Sequence, residues 1–237
     1  MGSVFISTAT SQDEAHRAAD VAVLPVGSFE QHGSHLPLAT DTLIAALIAR
    51  RIAADYDLFL LPPVTVGCSH EHADFPGSVS ISSTTLHAIV DDIRLSLAGQ
   101  GVEKLAIVNG HGGNYVLANI VQEANVATRR MVLYPQTVEW VEARAYAGVE
   151  TDHRADMHAG EAETSILLSE APELVGENYR AADFIADDRR YLLTLGLGGY
   201  SETGVVGKPS LATRDKGRRL LDFFAVQFKS YLAQLRT

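Results

Sequence analysis

Six side chains in this sequence have the types and spacing of a metal site with an acid–base group. Three of them, Glu30, His32 and Asp41, fall in a single stretch, VGSFEQHGSHLPLATD at 26–41. If the chain runs extended through Glu30-Gln31-His32, the period of two puts the carboxylate and the imidazole on one side while Gln31 points away. Asp41 opens the apolar, helix-period run TLIAALIARRIAADY. Its carboxylate is then expected beside a first helical turn, where the helix dipole favours negative charge. His111 stands in a glycine-rich turn, NGHGGN at 109–114, where missing side chains let the backbone come close to a metal or substrate. His158 and Glu163, in DMHAGEAET at 156–164, add a second acid–base group and another carboxylate. Singly, each has a plainer reading: Glu30 and His32 as a solvated loop pair, Asp41 with Thr40 as a helix cap. Together they offer the mixed imidazole and carboxylate donors that suit zinc first, and manganese or iron(II) by the same chemistry.

The elements that must position these groups alternate between strand and helix. Val21–Val26 is a continuous apolar run of the kind buried on both faces of a parallel sheet. A helix over 41–55 follows, then strands at 58–61 and 78–82 with a loop at 67–77 between them. A second helix, capped by Ser83 or Thr84, ends at Gly99-Gln100-Gly101. The pattern continues with a strand at 104–108, a helix at 115–129, a strand at 131–134, a short helix before Pro172 and a last helix over 214–235. The order predicts an α/β three-layer sandwich, a mostly parallel central sheet with helices on both faces, formed as one domain over 1–237. Ligands bind at the carboxyl ends of such strands, and the loops of Glu30/His32 and of His111 both leave such ends. His70, Glu71 and His72 are expected to line the pocket, and Cys68 to pack. Between Trp140 and Asp156, and over 173–200, the pattern is too mixed to assign.

Two rival chemistries fail on detail. The turn at 109–114 lies where a dinucleotide loop would, but Tyr115 stands at the third glycine position, and no acidic residue follows the strand at 131–134 to hold a ribose. No G-x-S-x-G elbow is present. A formal charge of −10 argues against a nucleic-acid surface. The sequence holds no membrane-length apolar run, no leader-like start and one cysteine, which together predict a cytoplasmic protein without a disulfide framework.

The blocks LPVGSFEQHGSHLPLATD, EHADFPGS, NGHGGN and DMHAGEAETS resemble the four signature blocks of the creatininase (creatinine amidohydrolase) family, in order and spacing. That resemblance implies a layered α/β fold, a homo-oligomer, often a hexamer, and hydrolysis of amide-type C–N bonds with two divalent metal ions. It implies Glu30, His32, Asp41 and His111 as ligands, with Asp41 bridging, and His158 as the proton-handling group. Creatininase itself has a glutamate ligand where this chain has Gly113, so Glu163 is expected to complete the second metal. It also has a tryptophan where this chain has Arg154, which argues against creatinine as substrate. Other members act on formamides and peptide-like amides, including a formamidopyrimidine deformylase and a peptidase of mycofactocin maturation.

The mechanism expected is attack by a metal-activated hydroxide, the ions lowering the pKa of water from 15.7 to about 7. His158 then serves as proton shuttle to the leaving nitrogen. His72, Gly112, Gly113, Asn114 and Arg154 are the expected substrate contacts, Arg154 pairing with a carboxylate or phosphate. The competing class is a metal-stabilised binding protein that kept the ligands without the chemistry.

Overall fold

A computed structural model of the chain describes residues 6–237. Four parallel strands form its sheet: β1 (Val21–Val26), β2 (Phe59–Leu60), β3 (Lys104–Asn109) and β4 (Met131–Tyr134), in the order β2-β1-β3-β4. β1 and β3 pair along their whole length, Val21 opposite Lys104 and Val26 opposite Asn109, so that their carboxyl ends finish side by side.

Among the described residues, eight α-helices and several short 3-10 turns complete the order: α1 (Ser11–Arg17), α2 (Thr40–Tyr56), α3 (Ser83–Ala98), α4 (Val116–Ala124), α5 (Thr137–Ala147), α6 (Glu161–Glu170), α7 (Leu192–Leu195) and α8 (Arg214–Arg236). The strand period of two divides the core in two. Val21, Val23, Ala106 and Val108 face a layer holding Ile44 and Ile48 of α2, Ile166 of α6 and Phe224 and Phe228 of α8. Ala22, Leu24, Leu105 and Ile107 face Leu86 and Val90 of α3 and Leu117 and Ile120 of α4. Helices therefore cover both faces of the sheet. No helix among the described residues is long and apolar enough to cross a membrane.

Several local expectations are corrected. Residues 78–82 form no strand: Val79 makes a single bridge to Phe29, and Ile81 N–H donates to the Gly67 carbonyl, so the segment ties strand-end loops together. Ser82, one residue earlier than expected, caps α3 by accepting from Thr85 N–H. α4 stops at Ala124 instead of 129, because the Asn125 side chain accepts from Arg130 and Met131 N–H and folds the chain back. α5, unassigned from sequence, opens with a capping box of Gln136 and Glu139, and its buried face includes the charged Glu139 and Arg144. The stretch 173–200 is a series of short turns and α7, with Leu197 fully buried.

Candidate metal centre

The loop after β1, the first turn of α2, the loop after β3 and the start of α6 meet at the carboxyl end of the sheet. Close backbone approach makes the meeting possible. A Cβ at Gly110, just past β3, would collide with the Asp41 carbonyl in the first turn of α2. Asp41 is not a cap. Ala39 is the N-cap position and makes no side-chain bond, and Thr40 Oγ1 donates to the Pro37 carbonyl. The Asp41 carboxylate, 2% exposed, turns inward instead, accepting from Ser28 Oγ at 2.7 Å.

The histidine tautomers show what this cluster needs. His32 Nδ1 lies 3.0 Å from the Glu30 carbonyl, an acceptor only, so that nitrogen carries the proton and Nε2 faces Asp41 Oδ1 at 3.0 Å. His111 repeats the arrangement with its nitrogens exchanged: Nε2 donates to the Cys68 carbonyl at 3.0 Å, and Nδ1 lies 2.9 Å from Asp41 Oδ2. Each Asp41 oxygen thus confronts an imidazole nitrogen, an opposition that only a proton or a cation between them relieves. Glu30 is more extreme. Both its oxygens are fully buried without a hydrogen-bond partner, although His72 Nε2 and His111 Nε2 come within 3.1 and 3.2 Å at angles that make no bond. An unpaired buried carboxylate costs several kcal/mol or takes up a proton.

The charge states follow. Burial, with Asp41 repelling it, pushes Glu30 up to about 8. Burial alone would lower His32 and His111; Asp41 outweighs it at His32, holding that ring's proton up to about 9, and Glu30 with Asp41 raises His111 well above its ordinary value. Burial lifts Glu163 to about 7. In the ion-free protein, protons occupy the places a cation would take.

Two donor sets stand out. Glu30, Asp41 and His111 each place one donor atom within 4.8 Å of the others, and so do His32, Asp41 and Glu163. Asp41 belongs to both sets. A third grouping, Glu30, His32 and His158, meets the same limit; His158 Nε2 donates to the Gln31 carbonyl at 2.6 Å, and Nδ1 is the nitrogen it turns toward Glu30, at 3.7 Å. Glu163 Oε2 accepts from Ala159 N–H at 2.6 Å, and Ala159 holds a left-handed backbone (φ 52°) between His158 and α6. Glu161 plays no part here: its carboxylate is engaged by Lys216 and Thr151.

A cavity of about 710 Å³ opens beside the cluster. His111, Gly112, Asn114, Arg154 and Glu163 line it, along with Trp140 of the unassigned helix α5. His72, Gly113 and His158 lie behind that wall. His72 is buried against Glu30, its Nδ1 accepting from the Gln31 amide, and burial pushes its ring down to about 3. His158 lies with its ring 4.1 Å from that of His32, lowered well below its ordinary value by burial and by His32 and His72. The Asn114 amide is occupied in bonding Cys68 N–H, the Gly27 carbonyl and Asn109. Sequence reasoning missed the intimate positions of His72 beside Glu30 and of Glu71 beside His111; the only signal was their presence in the block EHADFPGS.

Comparison with known proteins agrees with this geometry. The family model described as creatininase, creatinine amidohydrolase, matches residues 7–232. A mycofactocin precursor peptide peptidase of Mycolicibacterium smegmatis is 36% identical over 228 residues, covering 91% of this chain and 85% of its own. A creatinine amidohydrolase of Pseudomonas putida is 29% identical, covering 73% of this chain and 74% of its own. Among solved structures, a creatinine amidohydrolase at 24% identity covers 96% of this chain and 95% of its own with a TM-score of 0.79, and creatininase has also been solved in a manganese form and, as a mutant, in a zinc–zinc form. By family match, fold and buried site together, the chain belongs to the creatininase family and is a hydrolase of amide C–N bonds.

Proposed function

We propose that this hydrolase holds two divalent ions, zinc by first preference, and cleaves a peptide-type amide. The observation that carries the reading is the pair of donor sets sharing Asp41 at the wall of the cavity. One set, Glu30, Asp41 and His111, would hold the first ion, and the other, His32, Asp41 and Glu163, the second. The stranded oxygens of Glu30 and the opposed nitrogens on Asp41 are the features a cation would satisfy. Bound there, the ions would supply Lewis acidity and a nucleophile at neutral pH.

The protein's own groups do the rest. Gly112 lines the cavity, and its N–H makes no hydrogen bond among the described residues, which would leave it as a donor to a developing oxyanion. Arg154, exposed on the cavity wall, would orient a substrate carboxylate. Its loop is fastened by Arg189, whose guanidinium donates to the Arg154 carbonyl at 2.7 Å. His158 is neutral, with its proton on Nε2 and a bare Nδ1 turned toward Glu30 at 3.7 Å; at Nδ1 it would take up the proton released by the attacking water and return it to the leaving nitrogen. A peptide amide is favoured over creatinine by the 36% identity to the peptidase and by a charged residue, Arg154, at the cavity.

We assign the chain further to a homo-oligomer, supported by the exposed apolar side chains Tyr191, Leu193 and Leu195. The functional experiment is hydrolysis of a panel of short peptides, formamides and creatinine by zinc- and manganese-loaded protein. Turnover of peptides alone is the expected result, and robust creatinine turnover with inert peptides would overturn the substrate assignment.

A further inference from the structure

Two glycines follow His111, and only one of them is needed for space. A Cβ at Gly112 would meet nothing within 4 Å. At Gly113 it would collide with Glu71 Oε1 and with His111 Nε2 and come within 2.7 Å of the Cys68 carbonyl. The backbone at Gly113 is not left-handed, so conformation does not demand glycine there. What demands it is the crowding of three groups: the Cys68 carbonyl, the His111 ring and the carboxylate of Glu71, which arrives from the short 3-10 turn His70–His72 and lies 3.4 Å from His111 Nε2.

We infer that Glu71 is a positioning residue for His111, acting through the ring nitrogen that faces away from Asp41, and that Gly113 is glycine to admit the carboxylate and the ring side by side. The inference rests on the metal reading above. His111 has both nitrogens engaged: Nδ1 faces Asp41 Oδ2, while Nε2–H is directed at the Cys68 carbonyl, with Glu30 Oε2 at 3.2 Å and Glu71 Oε1 at 3.4 Å alongside. The carbonyl fixes the tautomer. The carboxylate adds negative charge beside the N–H, which enriches the ring in electrons and makes Nδ1 a stronger donor toward a cation on Asp41. The Glu71 side chain is largely buried, at 16% exposure, and has no Lys or Arg partner among the described residues, so its charge is directed at the ring.

The test measures affinity for zinc, by competition with a chromogenic chelator, together with the ¹⁵N resonances of the His111 ring. Glu71→Gln keeps the shape and removes the charge; it should weaken one of the two ions by about 10–100-fold and leave the other, with the Nε2–H proton shifted upfield. Gly113→Ala should cost at least as much, because its Cβ would strike the Glu71 carboxylate and the His111 ring together. Wild-type affinity and an unmoved ring resonance in Glu71→Gln would overturn the inference while leaving the metal centre intact. Wild-type affinity in Gly113→Ala would overturn the role given to Gly113. A wild-type protein that binds neither zinc nor manganese would overturn the metal centre itself, and this inference with it.

Discussion

Two buried ionic groups lie in this molecule, and they treat their charges in opposite ways. Around Glu161, fully buried, the carboxylate accepts from Glu150 N–H, from Thr151 N–H and Oγ1, and from Lys216 Nζ at 2.6 Å. Nearby, Asp156 accepts from Glu161 and Ala162 N–H and is paired with Nη2 of the Arg144 guanidinium, whose Nε is buried without a partner. In the cluster around Asp41, by contrast, three carboxylates gather with no Lys or Arg among the described residues, and the Glu30 carboxylate accepts no hydrogen bond. The first group brings its own counter-charges and is complete within the chain. The second leaves a deficit of positive charge in a dry place, which is the form a protein takes when the missing cation comes from outside.

The sharpest way to break that contrast is Asp41→Ala. It removes the residue common to both donor sets, so elemental analysis should find both ions gone and hydrolysis lost with them; retained metal would show that Asp41 does not bridge. Glu163→Gln should cost chiefly the ion of the His32 set. Glu161, two residues away, is unable to replace it, being held by Lys216 and Thr151.

His158→Asn comes next. It should keep the metals and lower kcat by about 10²–10⁴-fold on an unactivated amide, with less loss on an activated anilide whose leaving group needs no proton. Equal loss on both substrates would give His158 a positioning role instead.

Glu161→Ala tests the other half of the comparison. Breaking a buried, paired charge costs about 3–5 kcal/mol, and about 2–4 °C of Tm for each, so thermal unfolding should shift strongly while metal content stays at wild type. Loss of metal in a variant that remains folded would join the two groups that the structure keeps apart.

The smallest effect expected is one of pH on the metal-free protein. Glu30, raised to about 8, and His32, raised to about 9, bind more protons folded than unfolded. Stability from those protons is present below the unfolded values and is lost as pH rises through the folded ones. Between pH 4.5 and 6.5 the depressed His72 and His158 act in the opposite sense, so the clean window lies from about pH 6.5 to 9. There the metal-free protein should lose stability as pH rises, and the zinc-loaded protein should not, since the cation replaces the protons. Denaturant midpoints for the two forms across that window provide the check.

How much of this was legible in the chain depended on whether a local rule governed it. The alternating strands and helices, the parallel sheet and the approach of the β1 and β3 loops followed from apolar runs and caps, each a property of a few neighbouring residues. α5 escaped because its buried face carries Glu139 and Arg144, charges satisfied by Tyr231 and Asp156 far along the sequence. The run 78–82 alternates like a strand, yet its backbone bonds go to Phe29 and Gly67, so the pattern alone misled.

For the site, residue types and spacing were enough to name Glu30, His32, Asp41, His111, His158 and Glu163 as one group, because donor chemistry is carried by the side chain itself. Which oxygen faces which ring was not in the sequence. The division into two donor sets around Asp41, the burial of His72 behind Glu30, and the place of Glu71 against Gly113 depend on loops that are distant in the chain and meet only at the sheet's carboxyl end. Sequence determined what kinds of bonds these residues could make; the tertiary fold decided which were made, by excluding water and setting distances of about 3 Å, where one unsatisfied charge outweighs any local preference.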